Sequence, residues 1–411
     1  MHRDRAPSSA RQPTVGAHAT DPNTRTPGNA GAPDKTGAPD NGGLDPSARP
    51  AVDQPRILDD PAEVTAEWMT RALRAGGADV EIAALRFEQI GTGQLGASYR
   101  FHLERSPGQV GHSPATVVVK MAVGDRATRA RIARAYRQET GFYRTFASSA
   151  RIRVPHCWSA DISADGLSFT LVLEDAHPAR PGRQVDGCTI EQAAVAVRNL
   201  AGLHAPFWND RTLASRAPWL READDAGLRF LDGILRGAAD EFVRRYADEL
   251  SAADAGTLLR AADEITRWGR AIRHRTSLIH GDYRLDNLMF GAAGDVVTVD
   301  WQTLEIGFPG RDLAYFLSTA LSPAQRRRHE ESLITAYQQR LVELGVDGYS
   351  AADCFADYRL GTLHGPMTAM IGCVYAAGTQ TADSDRMFLS LATRSACAIR
   401  DLGTLELLRP S

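Results

Sequence analysis

The chain has 411 residues, about 43% of them apolar and 24% charged, with a formal net charge of −3. That length exceeds what one core fills, since single cores stop growing near ~250–300 residues, and the near-neutral charge leaves no electrostatic footprint for nucleic acid or an anionic membrane surface. No apolar run approaches the ~20 residues that span a bilayer, and the five cysteines (157, 188, 354, 373 and 397) are scattered without a Cys-x-x-Cys pair, which points to free thiols in a reducing, cytoplasmic setting.

Residues 1 to about 55 are dominated by Pro, Gly, Ala, Asp, Arg and Thr, and Leu44 is their only large aliphatic residue besides Met1. Such a stretch cannot bury enough surface to offset its ordering entropy, so residues 1–56 read as a disordered tail. It lacks the apolar stretch of a secretory signal. Order is expected from about Leu58. Asp60-Pro-Ala-Glu63 reads as a helix start, with an acidic cap and Pro at the first helical position, and Trp68, Met69 and Leu73 give that helix an apolar face.

Arg86 to Ile90 reads as a strand, Gly91-Thr-Gly93-Gln-Leu-Gly96 as a glycine turn, and Ala97 to Leu103 as a second strand, because Tyr99, Phe101 and Leu103 alternate with polar neighbours. A strand–glycine loop–strand unit does not open a helix, as a dinucleotide fingerprint must. It suits a flap whose backbone approaches phosphates without a Cβ clash. Ala115 to Ala122 is a β-branched run carrying Lys120, a residue costly to bury without a partner. Ala127 to Phe146 reads as a helix with Ile132, Tyr136, Phe142 and Tyr143, and Glu139 is the carboxylate on it best suited to meet Lys120. Ser168 to Ala176 reads as a buried strand ending in the acidic pair Glu174-Asp175.

Thr189-Ile-Glu-Gln192 and Ser322-Pro-Ala-Gln325 are capping boxes that open helices. The first helix runs toward His204 and Trp208, both read as packed core. Leu278 to Phe290 then places His280, Asp282 and Asn287 on one short loop, and the Val-rich run from 296 ends at Asp300. These residues offer a proton acceptor and two oxygen ligands for a hard cation. That is the equipment for moving a phosphoryl group from a magnesium nucleotide onto a hydroxyl.

The segment His280-Gly-Asp282, four residues, Asn287, followed by Asp300-Trp-Gln302, resembles the catalytic segment of the aminoglycoside phosphotransferase and choline kinase-like families, and most of all their ecdysteroid-kinase-like branch. Leu203-His-Ala-Pro-Phe-Trp208 carries the same resemblance. It implies an α+β, protein-kinase-like fold, with a small antiparallel-sheet lobe over residues 57–175 and a mostly helical lobe over 176–411. It implies ATP and Mg²⁺ as cofactors, Asp282 as catalytic residue, and Asn287 and Asp300 as metal ligands. Nucleotide contacts would come from Gly91, Gly93, Gly96, Lys120 held by Glu139, and a hinge at Glu174 and Ala176. His280 and Asp312 would support the loop, Asp312 by accepting hydrogen bonds from its backbone. The acceptor would be a small-molecule hydroxyl. Tyr283-Arg-Leu-Asp286 departs from the His-Pro-Gly insert of antibiotic kinases, and the run also resembles kinase-like domains associated with hydroxyacyl-CoA metabolism. An amino alcohol, a steroid or lipid, a hydroxyacyl-CoA and an antibiotic therefore stay open. Tyr315, Phe316, Tyr358, His364, Met367 and Tyr375 are available to an acceptor pocket, though each reads more naturally as core. The alternatives are a nucleotide-binding pseudokinase scaffold, against which the joint presence of Lys120, Asp282, Asn287 and Asp300 argues, and a protein kinase, against which the missing Ala-Pro-Glu segment argues.

Overall fold

Val117, Val119 and Met121 are fully buried, while Val118 and Lys120 between them are only partly so. This alternation is the period-two signature of a strand with two different faces. The strand is the centre of the first half of the structure, a computed structural model that describes residues 55–91, 96–108, 114–220, 224–375 and 381–409. The expected tail of residues 1–56 therefore lies almost entirely outside the described residues.

Helix α1 (Ala66–Ala75) precedes strands β1 (Ile82–Ile90), β2 (Gly96–Arg105) and β3 (Thr116–Ala122), then helix α2 (Arg126–Thr145) and strands β4 (Cys157–Ile162) and β5 (Phe169–Glu174). The five strands form one antiparallel sheet in the order β1-β2-β3-β5-β4. Trp68, Met69, Ala72 and Leu73 of α1 pack with Phe101, Val117, Val119, Met121 and Val172. Tyr136 and Phe142 of α2 pack in a second cluster with Phe169, Leu171 and Leu173. One element differs from expectation. Asp60 caps only a three-residue 3-10 turn, Pro61–Glu63, and the helix starts later, capped by Thr65, whose hydroxyl accepts the Trp68 N–H at 3.1 Å. Val64 is extended there (φ −73°, ψ 106°), so the turn cannot run on into the helix.

Beyond the two-residue strand β6 (Arg180–Pro181) the chain is mainly helical: α3 (Ile190–His204), α4 (Leu213–Arg216), α5 (Asp225–Arg245), α6 (Ala252–Asp263) and α7 (Ile265–Ala271). Four short strands follow, β7 (Ser277–Ile279), β8 (Leu288–Phe290), β9 (Val296–Thr298) and β10 (Glu305–Gly307), and then α8 (Gly310–Ala320), α9 (Pro323–Glu343), α10 (Ala351–Gly361), α11 (His364–Tyr375), α12 (Ala382–Leu402) and α13 (Thr404–Leu407). Both expected capping boxes are present, at Thr189 and Ser322. The small pairings β7–β10 and β6–β8–β9 frame the loops of interest. Helix α8 is buried over ten of its eleven residues and lies against α10, α11 and α12. Among the described residues no helix is long and apolar enough to cross a membrane, and all five cysteines are free thiols.

Candidate active site

Asp282 sits on the loop between β7 and β8, where four features of the chain converge. Its backbone N–H meets His280 Nδ1 at 3.3 Å. One carboxylate oxygen, Oδ1, accepts from Tyr315 Oη at 3.1 Å, and the other, Oδ2, accepts from Arg284 Nε at 3.1 Å and from Asn287 Nδ2 at 3.0 Å. The same Asn287 amide nitrogen also donates to the Asp282 carbonyl, at 2.9 Å. A short 3-10 turn, Leu285–Asn287, brings Asn287 back over Asp282.

The loop is held from behind by buried groups. Asp312 is fully buried and accepts the backbone N–H groups of His280 at 2.6 Å and Gly281 at 2.9 Å, with His204 Nε2 at 3.3 Å. Burial opposes its ionisation, but the hydrogen bond to His204 and the surrounding histidines outweigh this and bring its pKa down to about 2. His204 is packed, as expected, and its other nitrogen meets Tyr337 Oη at 2.6 Å. His280 is fully buried too, with Nε2 at 3.1 Å from the Val299 carbonyl. Gly281 has φ +79°, and a Cβ there would lie 2.5 Å from the Thr303 carbonyl oxygen, so the close approach of the two loops requires glycine. His364 bonds the Gly281 carbonyl at 2.9 Å, and burial together with the Arg311 charge lowers its pKa to about 3.

Lys120 and Glu139 come from β3 and α2 and meet at 2.5 Å, with side-chain exposures of 13% and 1%. Burial works against the lysine's charge, but the Glu139 and Asp300 carboxylates prevail and hold its pKa above the ordinary value. Glu139 also accepts from Gln302 Nε2 at 3.2 Å. Asp300 Oδ1 lies 3.9 Å from the lysine nitrogen, too far for a hydrogen bond. Asp300 has φ +66°, the left-handed region that Asp tolerates better than most residues. The next residue, Trp301, is fully buried, stacks on Phe142 of α2 (centroids 3.6 Å apart, planes 8° apart) and lies 4.7 Å from the His280 ring.

Two oxygens stand out in this cluster. Asp300 Oδ1 is buried without a hydrogen-bond partner. Asn287 spends its side-chain nitrogen on Asp282, which leaves its side-chain oxygen Oδ1 without a hydrogen-bond partner among the described residues, while its backbone carbonyl accepts the Val299 N–H at 3.0 Å. A pair of oxygen donors with unused acceptor capacity fits Mg²⁺, which is held by one or two protein oxygens while substrate phosphates and water complete its shell. No group of three or more His, Cys, Asp or Glu side chains able to hold a metal occurs among the described residues, so a self-sufficient protein cage is not what is present.

Gly91 (φ +70°) directly follows β1, Gly96 begins β2, where an added Cβ would lie 3.2 Å from the Met121 carbonyl oxygen, and Gly93 lies outside the described residues. Glu174 turns its carboxylate to Arg153 at 2.6 Å and to the His156 N–H at 2.8 Å, while its own N–H donates to the His156 carbonyl at 2.7 Å. The N–H of Ala176 has no partner among the described residues, although its carbonyl accepts from Ala179. Of the acceptor-pocket candidates, Phe316, Tyr358 and His364 are buried structural groups, Met367 is core, and Tyr375 is exposed. Tyr315 is buried but touches Asp282. Sequence reasoning did not single out Tyr315 or Arg284 as partners of Asp282, nor Gln302 as a partner of Glu139.

The sequence model of the ecdysteroid kinase-like family matches residues 95–346, more than half of the chain. Among curated proteins none matches. Solved structures of similar shape include choline kinase from Cryptosporidium parvum Iowa II (10% identity, 79% of this chain and 92% of that one, TM-score 0.48). They also include a spectinomycin phosphotransferase in complex with ADP and spectinomycin (14% identity, 84% and 98%, TM-score 0.45) and an ethanolamine kinase from Plasmodium vivax (9% identity, 76% and 81%, TM-score 0.47).

Proposed function

The chain belongs to the ecdysteroid kinase-like family, whose protein-kinase-like α+β architecture it has, and from that premise we propose that it transfers the γ-phosphoryl group of ATP to a hydroxyl of a small molecule. The observation that carries the reading is the convergence at one place of Asp282 hydrogen-bonded to Asn287 at 3.0 Å, and of Asp300 beside the buried Lys120–Glu139 pair. A structural ion pair alone would not need the buried, unpartnered Asp300 Oδ1 beside it.

In this mechanism the glycine-rich segment 91–96 would cover the phosphates. Lys120, kept charged and in place by Glu139, neutralises the α- and β-phosphates. The N–H of Ala176 is available to the adenine, at the junction between a sheet lobe and a helical lobe near residue 175. Asn287 and Asp300 would hold Mg²⁺, which when bound neutralises phosphate charge. Asp282 orients the acceptor hydroxyl for in-line attack on the γ-phosphorus and accepts its proton as the new P–O bond forms. The bond to the bridging oxygen breaks, ADP leaves, and the proton passes from Asp282 to solvent. Such chemistry needs positioning and charge neutralisation more than covalent catalysis.

The test is an unbiased transfer assay. Purified protein and its Asp282→Asn variant are incubated with Mg-ATP and a host metabolite extract, and species gaining one phosphate are sought by mass spectrometry. A product formed by the wild type, and slowed on the order of 10²–10⁴-fold in the variant, supports the reading. ATP binding without any product points to a nucleotide-binding scaffold, and the absence of ATP binding refutes the assignment of the site.

A further inference from the structure

We propose that Tyr315 is a positioning residue for Asp282, and that it acts with Arg284 and Asn287 to leave the Asp282 carboxylate a single open direction, on Oδ1, for the acceptor hydroxyl. The proposal rests on the reading of Asp282 given above and extends it to Tyr315 and Arg284, which that reading does not use.

An ionised carboxylate accepts about four hydrogen bonds, two at each oxygen. At Asp282, Oδ2 is filled by Arg284 Nε and Asn287 Nδ2, and Oδ1 has one place taken by Tyr315 Oη. One place remains, on the oxygen that Tyr315 touches. With both oxygens pinned by donors from separate elements, rotation of the carboxylate breaks at least two bonds at once.

The local structure explains why Tyr315 can do this. Asp312 and Tyr315 are three residues apart on α8, so they share one face of the helix. Asp312 grips the loop backbone at His280 and Gly281, and Tyr315 grips the side chain one residue further on. The ring is fully buried, packed edge-on against His364 with centroids 5.2 Å apart, and His364 itself bonds the Gly281 carbonyl. A phenol buried in an apolar cluster needs a partner for its hydroxyl, and here that partner is Asp282. Arg284 is held in turn by Asp286 and lies 3.0 Å from the Met387 sulfur on α12.

Two measurements test this, one of which requires no turnover. Crystal structures of the wild type, Tyr315→Phe and Arg284→Gln are compared at Asp282. The expected result is one carboxylate orientation in the wild type and more than one in each variant. In parallel, the kinetics of Mg-ATP turnover are measured with the acceptor found by the transfer assay. The expected result for Tyr315→Phe is a kcat lower on the order of 10–10²-fold, the cost of a misplaced reacting group, with KM for ATP unchanged and a thermal unfolding midpoint close to wild type. A single unchanged Asp282 orientation in both variants overturns the proposal, as does a disordered Asp282 with wild-type kcat. A raised acceptor KM with Asp282 still fixed also overturns it, because the residues would then touch the acceptor directly. Failure of the wild type to turn over would count against the proposed function, while the crystallographic comparison would still decide the positioning role.

Discussion

Replacing Asp312 with Asn should destabilise the protein by about 2–4 kcal/mol at neutral pH, although the change removes a single charge and almost no volume. The carboxylate receives the N–H groups of His280 at 2.6 Å and Gly281 at 2.9 Å, one on each oxygen, in a fully buried site. An amide offers one acceptor oxygen, so the other N–H would face an NH₂ donor. A hydrogen bond to a charged group contributes about 1.5–3 kcal/mol, and a buried donor left without a partner costs about 1–3 kcal/mol; the two overlap, which gives the range stated. A separate route gives a similar size. The folded pKa is about 2 against an ordinary 3.8, and that depression corresponds to about 2 kcal/mol favouring the folded state. Because the folded pKa is depressed, this contribution is present above pH ~4 and is lost as pH falls toward ~2. Urea denaturation of both proteins at pH 7, repeated at steps down to pH 3, measures the gap and its pH dependence. A gap below about 0.5 kcal/mol at pH 7, the level of an ordinary surface substitution, would refute the loop-anchoring argument. A gap that fails to narrow below pH 4 would refute its electrostatic part.

Other outcomes follow from the same geometry. Lys120→Met should cost about 3–5 kcal/mol by leaving Glu139 charged and buried, and adding Glu139→Leu should recover most of it; urea denaturation of the single and double variants checks this. Asp300→Asn should remove the Mg²⁺ dependence of nucleotide binding and abolish turnover in a protein that remains folded, as read by calorimetric titration, circular dichroism and the transfer assay; normal activity would discard Asp300 as a metal ligand. Trp301→Ala should cost about 3–5 kcal/mol, the range for a buried aromatic, because it empties the space between Phe142 and His280; a change under 1 kcal/mol would show that the stack is incidental.

What the sequence disclosed and what it hid divide along a physical line. The strands around Phe101 and Val119 were legible because burial on one face imposes a period of two, and α2, α3 and α9 were legible because periodicity and caps lie within a few residues of each other. The cluster of Asp282, Asn287 and Asp300 was legible because those residues are close in sequence and carry a spacing that resembles a known family. The start of α1 was misplaced: Asp60-Pro61 and Thr65 both carry cap chemistry, and only the extended backbone at Val64 decides between them. Tyr315 was hidden for a different reason. An aromatic residue in the middle of an apolar helix reads as core, and it is core; that its hydroxyl reaches a residue 33 positions earlier depends on how α8 packs under the loop. The Gln302 bond to Glu139 spans 163 positions and has no local signature at all.

These long-range bonds share an origin. Gln138, Glu139 and Phe142 are neighbours on α2, and each holds a different residue of the segment after Asp300: Gln138 Nε2 donates to the Leu304 carbonyl at 2.5 Å, Glu139 accepts from Gln302, and Phe142 stacks on Trp301. The helix that orients Lys120 through Glu139 therefore also sets the backbone that carries Asp300 in its left-handed conformation. On the other side, α8 sets the loop that carries Asp282 through Asp312 and Tyr315. Thr303 joins the two segments by donating its hydroxyl to the His280 carbonyl at 2.8 Å. A displacement of α2 alone would thus strain the Lys120 pair and the Asp300 backbone together, and that strain would reach the Asp282 loop through Thr303. Groups bound to one network in this way keep their spacing by shared hydrogen bonds and stacking rather than by local rigidity, which is how a site assembled from distant parts of the chain keeps its geometry.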